Sequence, residues 1–280
     1  MLYVCPTPIG NLEDITLRAL RILQEVDLVL AEDTRHTGQL LHHFQIQQSM
    51  ESLHEHNEKE KTTRILDLLS QGKKVALVSD AGMPGISDPG AFLIREVIEA
   101  GHALEVLPGA NAALVGFLQS GLDSPHFLFY GFLPRRKKDR VRALETLENL
   151  SHPIIFYEAP HRLKNMLSDL LDVLGDRTVS VSRELTKRFE ETRRGSISEL
   201  LGYYAEQKPR GEFVVTVEGA RAGRQKDALA EHNEDDILHS LEHLMATGLS
   251  RRSAVERVSV EYRLPRNHVY EIALRLNPEG

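Results

Sequence analysis

At 280 residues and a formal charge of −7, the chain is long enough for two domains and a small third unit. Its 41% apolar and 27% charged residues fit a globular protein, and no run approaches the roughly 18 apolar residues of a membrane helix. Cys5 is the single cysteine, which excludes an intrachain disulfide and a cysteine-built metal cluster. With no basic or apolar leader ahead of Leu2-Tyr3-Val4, a cytoplasmic location is expected.

The first hundred residues alternate strand and helix signals. Leu2–Cys5 reads as a strand, followed by an amphipathic helix over Thr16–Gln24 with Leu17, Leu20 and Leu23 on one side. Val26–Ala31 is a second strand, and Thr37–Phe44 and Thr62–Gln71 are helices. Lys74–Val78 is a third strand, Phe92–Ala100 a helix and Ala103–Leu107 a fourth strand. This alternation predicts a mainly parallel sheet covered by helices, an α/β fold. After Gly121-Leu122-Asp123-Ser124-Pro125 the pattern restarts, which places a first domain at 1–121 and a second at 122–220. The second contains strands at Phe127–Phe132, Ile154–Tyr157, Thr178–Ser182 and Phe213–Val217, and helices at Arg140–Leu150 and Leu163–Leu174. It is also α/β, and the expected binding site is the cleft between the two. Arg221–Ala230 reads as a linker. A three-helix unit at 233–280 follows, with helices at Asp235–Ala246, from an Ser250 cap to about Tyr262, and from Pro265 onward. That unit resembles a helix-turn-helix, and a helical cap or dimer element fits the pattern equally.

The strand ends carry the most unusual chemistry. Val78–Gly90 holds three glycines and two prolines between a strand and a helix, and Pro108–Ala113 forms a second such turn. Glycine permits close backbone approach to a ligand, and ligands of open α/β sheets sit at the carboxyl ends of strands. Several other chemistries lack their signatures: there is no phosphate-binding Walker loop, no Gly-x-Ser-x-Gly elbow, no His-Glu-x-x-His helix and no Gly-x-Gly-x-x-Gly fingerprint. The last absence weakens a dinucleotide-dependent oxidoreductase. His54, Glu55, His56 and Glu58 read as a polar loop, and no metal site is expected. The overall acidity disfavours non-specific nucleic-acid binding, yet Arg135, Arg136, Lys137, Lys138, Arg140 and Arg142 form one dense basic run.

Eight blocks, read in order, resemble a single family. They are Thr7–Thr16, Ala31–Arg35, the Asp80–Gly90 loop, Pro108–Ala112, Tyr130–Pro134, Phe156–Arg162, Arg183–Lys187 and Gly211–Phe213. The series is similar to the tetrapyrrole methylase superfamily and, within it, to the branch that methylates ribosomal RNA. The resemblance implies S-adenosyl-L-methionine as cofactor, folded into the interdomain cleft. It also implies 2′-O-methylation of a cytidine ribose in the decoding region of 16S rRNA, by a homodimer acting on small-subunit rRNA or the assembled 30S subunit. Carried over by position, the cofactor contacts are Pro8, Ile9, Asp80, Gly82, Met83, Asn111 and Ala112, with Tyr157, Arg183 and Glu212 from the second domain. Met83 departs from the family pattern, where threonine is usual.

A ribose hydroxyl is a weak acid, so a base or cation is expected beside it. The candidates are Asp33, Arg35, Glu158, His161, Arg162, Glu184 and Lys187. Each has a structural alternative as an ion pair, Glu158 with Arg162 at i,i+4 above all. Arg135, Arg136, Lys137 and Lys138 are the expected RNA contacts, with Arg251, Arg252, Arg263 and Arg266 as a second set. Two other readings compete: a precorrin or other tetrapyrrole methyltransferase, and a non-enzymatic RNA-binding module.

Overall fold

Apolar runs that alternate in direction across a pleat define the first sheet. In the computed structural model, which describes residues 1–220, 234–262 and 266–276, β1 (Leu2–Val4), β2 (Leu28–Ala31), β3 (Met50–Ser52), β4 (Val75–Val78) and β5 (Leu104–Val106) form one parallel sheet. Its order is β3-β2-β4-β1-β5. Tyr3, Val29, Ala31, Ala76 and Val78 point to one face and pack on Ala19, Ile22 and Leu23 of α1 (Leu17–Glu25). Leu2, Leu28, Leu30, Val75 and Leu77 point to the other, against Ile65 and Leu69 of α3 (Glu58–Ser70) and Leu93 and Val97 of α4 (Ala91–Glu99). Covered on both faces, the central strands are uninterruptedly apolar, as parallel sheets require. Two more helices complete this half: α2 (Thr34–His43) and α5 (Ala112–Ser120).

The second sheet contains β6 (Leu128–Phe132), β7 (Ile154–Glu158), β8 (Thr178–Arg183), β9 (Glu191–Ser196) and β10 (Phe213–Val217), in the order β6-β7-β10-β8-β9. Only β6 and β7 run parallel, and every other pairing is antiparallel. One face buries Phe156, Val179, Val181, Phe213 and Val215 with α6 (Lys137–Glu145), α7 (Leu163–Leu174) and α8 (Ile197–Glu206). The opposite face is covered by a helix from the first half: Ile155 and Val214 pack with Ala113 and the partly buried Val115 and Phe117 of α5.

That packing depends on Gly116. A Cβ there would stand 2.6 Å from Val214 Cγ1 and 2.9 Å from Val214 Cβ, so only glycine lets helix and strand approach this closely. Residues 1–219, holding both sheets, accordingly make one compact unit. The sequence break after Gly121 falls between the two sheets.

Residues 220–280 form a second unit. Helices Glu234–Ala246, Arg251–Glu261 and Arg266–Ala273 bury Ile237, Leu241, Ala254, Val255, Val258, Val269 and Ile272 together. Ser250 accepts the Ser253 N–H at 3.3 Å and caps the middle helix. The expected linker, Arg221–Ala230, and Pro265 lie outside the described residues.

Several boundaries differ from the sequence reading. The helix expected from Arg140 begins at Lys137, so Lys137, Lys138, Arg140 and Arg142 of the basic run lie in the first two turns of α6, with Arg136 as its N-cap and Arg135 ahead of it. Strands β3 and β9 and helix α8 carried no strand or helix expectation.

Gly116→Ala separates two effects with opposite signs. Helix propensity alone predicts a gain of about 1 kcal/mol, whereas overpacking against Val214 predicts a loss of about 1–3 kcal/mol. Urea unfolding is expected to show net destabilisation in the wild-type background and stabilisation in a Val214→Ala background.

Candidate active site

The floor of the candidate site is the turn after β4. Thr7 and Gly82 exchange backbone hydrogen bonds, 2.9 Å and 3.0 Å, which tie the first strand-end turn to the second. Gly82 has φ +82°, and a Cβ there would meet Ile9 Cγ2 at 3.2 Å. A left-handed conformation beside a packed isoleucine demands glycine. The far end of the loop is anchored by Glu58, whose buried carboxylate accepts the Gly90 and Leu93 N–H groups, both at 3.0 Å. It caps α4 from the neighbouring helix. Among the described residues, no group of three histidine, cysteine or carboxylate side chains could hold a metal ion.

Asn111 starts α5, its side chain accepting the Leu114 N–H at 3.2 Å. The second sheet supplies a further partner, because the Tyr157 hydroxyl accepts the Ala113 N–H at 3.1 Å. Burial pushes the Tyr157 phenol up to about 12, so it remains a neutral hydrogen-bonding group.

These walls enclose a cleft of about 540 Å³. From the first half it is lined by Ile9, Asp80, Gly82, Met83, Asn111 and Ala112. From the second come Tyr157, Glu158, His161, Glu184, Lys187 and Glu212. The Leu185 loop lies against Asn11, whose N–H donates to Thr186 Oγ1 at 3.0 Å. Glu184 and Thr186 take positive φ, 51° and 64°, an uncommon state for residues with side chains.

The sequence did not single out Glu32, Asp88 and Phe132, which also line the cleft. All three lie inside quoted blocks, and the Asp88-Pro89-Gly90 run ahead of a helix is the signal that marked Asp88. Six carboxylates face the space with Lys187 as the one lysine or arginine among the described lining residues. Burial, followed by the Glu32 charge, drives the Asp88 carboxyl up to about 6. Burial and the Asp80 charge raise Glu32 as well. Such a wall attracts a cation and repels an anion.

Not every expected residue reaches the cleft. Pro8 is buried and does not line the cleft, and Arg183 pairs with Glu191 at 2.7 Å. Asp33 caps α2 by accepting the Arg35 N–H and pairs with the Arg35 guanidinium at 2.7 Å. That hydrogen bonding holds the Asp33 carboxyl well below the usual range. Asp33 and Arg35 therefore form a helix cap outside the cleft wall. Arg162 turns away too, toward the carbonyls of Leu133 and Pro134, while its Nε lies 3.2 Å from Glu158 Oε1. Arg135, Arg136, Lys137 and Lys138 are exposed. Arg140 departs from the run: it is 5% exposed and its Nε donates to Asp169 at 2.6 Å. Arg251 and Arg252 open a helix of the C-terminal unit. Arg263 and the side chain of Arg266 lie outside the described residues.

The model of the tetrapyrrole (corrin/porphyrin) methylases matches residues 1–201. The chain belongs to the tetrapyrrole methylase family. Two relatives, each named ribosomal RNA small subunit methyltransferase I, cover 97% of the chain and 93% of their own lengths. One, from Bacillus subtilis, is 44% identical and the other, from Halalkalibacterium halodurans, 45%. A solved uroporphyrin-III C-methyltransferase from Thermus thermophilus, in complex with S-adenosylhomocysteine, matches this tetrapyrrole methylase with a TM-score of 0.54. It is 18% identical and covers 76% of this chain and 96% of its own, which shows a shared fold. Among the described residues no helix is long and apolar enough to cross a membrane.

Asp88 gives the cleft a pH signature. Its folded-state value lies above the ordinary carboxylate range, so the stability it contributes as a neutral acid is present below about pH 4 and lost as the pH rises through about 6. Asp88→Asn is expected to gain stability relative to wild type between about pH 4 and pH 7, read from urea midpoints. A difference that stays constant over that range contradicts the burial argument.

Proposed function

We propose that this chain is a cytoplasmic, homodimeric methyltransferase that moves a methyl group from S-adenosyl-L-methionine to the 2′-hydroxyl of a cytidine ribose in small-subunit rRNA. One observation carries the choice of substrate. The family model stops at residue 201, whereas the rRNA methyltransferases match 97% of the chain at 44–45% identity. The likeness to them thus runs beyond the methylase fold into the C-terminal helical unit. A tetrapyrrole substrate requires neither that unit nor the basic start of α6.

The cleft fits the cofactor. S-adenosylmethionine supplies an electrophilic methyl group on a sulfonium. The carboxylates of Glu32, Asp80 and Asp88 suit its positive charges, Gly82 and Asn111 offer close backbone approach, and Ile9, Ala112 and Val214 give apolar surface. From the second half, Tyr157 and Glu212 close the other side. A neutral product would gain less from the same field, which favours its release.

On this reading the acid–base candidates are those that line the cleft. Glu158 is buried, its Oε1 accepts the Ala159 N–H at 2.8 Å, and its Oε2 has no hydrogen-bond partner among the described residues. Burial raises its affinity for a proton. Glu158 Oε2 accepts the proton that the ribose hydroxyl loses. Lys187, 3.1 Å from Glu184, holds a positive charge beside the oxygen as it becomes anionic. Phe132, 52% exposed and edge-on to Tyr157 with ring centroids 5.6 Å apart, offers a face on which an unstacked base rests.

Incubation with methyl-labelled S-adenosylmethionine and 30S subunits, followed by digestion to nucleosides, tests the reading. Label is expected in 2′-O-methylcytidine, and label on a base or no transfer contradicts it. Glu158→Gln is expected to lower kcat by about 100-fold or more while cofactor affinity is retained.

A further inference from the structure

A second cavity of about 340 Å³ lies beside α6 and α7. Four cationic side chains, Arg135, Lys137, Arg140 and Arg162, face it against one carboxylate, Asp169. Two of the four are fixed in advance. Arg140 is held by Asp169 and by the carbonyls of Pro134 and Arg135. Arg162 is held by Glu158 and by the carbonyls of Leu133 and Pro134. Arg140 Nη2 and Arg162 Nη1 donate to no protein group among the described residues.

The other lining groups differ in how far they are committed. The Arg135 guanidinium makes no ion pair among the described residues, and the Lys137 ammonium is 3.5 Å from Asp169. Asn165 and Ser168, a turn apart on α7, also face the cavity and their side chains have no hydrogen-bond partner there. Asp169 is itself 2% exposed and satisfied by Arg140 and Lys137. What remains is a set of preorganised donors and unbalanced positive charge, which suits a phosphoryl oxyanion.

We propose that this cavity seats one phosphate of the RNA backbone. The inference rests on the rRNA reading above. The Glu158–Arg162 pair connects the two sites, because Glu158 lines the cleft and Arg162 lines the cavity. A nucleotide whose ribose enters the acidic cleft therefore has a cationic seat for a neighbouring phosphate on the far side of one ion pair. The acidic wall repels the polyanion, and the cavity offsets that repulsion close to the reacting sugar.

The test compares charge inside the cavity with equal charge outside it. Affinity of the full chain for small-subunit rRNA is measured over a range of salt for Arg135→Ala/Lys137→Ala, for Arg136→Ala/Lys138→Ala, and for Ser168→Asp. The first pair and Ser168→Asp are expected to lose about tenfold in affinity and about one in the slope of log K against log salt. The second pair, which does not line the cavity, is expected to lose less than about threefold with the slope unchanged. Equal losses from the two pairs overturn the seat in favour of a diffuse charged surface. Retained thermal stability and S-adenosylmethionine affinity in Ser168→Asp separate this result from misfolding. Inorganic phosphate supplies the second arm: it is expected to raise the melting temperature of wild type and not of Ser168→Asp, and no difference overturns the oxyanion seat. Phosphate protection with unaltered RNA affinity in Ser168→Asp overturns the assignment to RNA. If wild type neither binds nor methylates rRNA, the functional reading fails, and the phosphate arm still decides the cavity.

Discussion

The close approach of α5 to β10 at Gly116 is the constraint on which the site depends. It places a helix of the first half on the open face of the second sheet, where Ile155 and Val214 would otherwise meet water. Because α5 begins at the cleft, the same contact brings Tyr157 to the Ala113 N–H. Strand ends from two sheets thereby face each other across a fixed gap. A glycine in mid-helix costs about 1 kcal/mol in propensity, and the buried interface is what that cost secures.

Within one compact unit, charge is sorted by position. The cleft is walled by carboxylates, of which Glu32 and Asp88 are raised by burial and by neighbouring negative charge, whereas the start of α6 and the adjoining cavity are cationic. A cationic methyl donor and an anionic nucleic acid place opposite demands on one protein, and the net charge of −7 conceals how they are met. The buried pairs Glu158–Arg162 and Arg140–Asp169 hold the boundary. Leaving either charge alone in so dry a place would cost several kcal/mol.

Much of this was legible in the residues. Both-face apolar runs identified the central strands, and the glycine-proline turns marked the strand ends that become the floor of the cleft. Short or polar elements were not legible. Strand β3 is only Met-Glu-Ser, and β9 (Glu191–Ser196) is a charged edge strand. Helix α8 carried a readable signal in Ser196 and Glu199, which form a capping box. Local sequence also gave no way to tell a cap from a catalyst. Asp33 and Arg35 satisfy each other at a helix start, and Arg140 leaves its basic run to pair with Asp169, a partner 29 residues away. Glu32 and Asp88 were missed because their proximity is a property of the folded sheet.

An acidic cleft suited to the methyl donor and a cationic cavity suited to the RNA backbone share one unit. Ala112 lines the cleft at the start of α5, and Ala112→Trp would fill that space without touching the basic surface. Calorimetric titration of this variant with S-adenosylmethionine, paired with its affinity for small-subunit rRNA, tests the division directly. The account predicts a loss of cofactor affinity of about tenfold or more, equivalent to about 1.4 kcal/mol, with RNA affinity within about threefold of wild type. Unchanged cofactor affinity would contradict it.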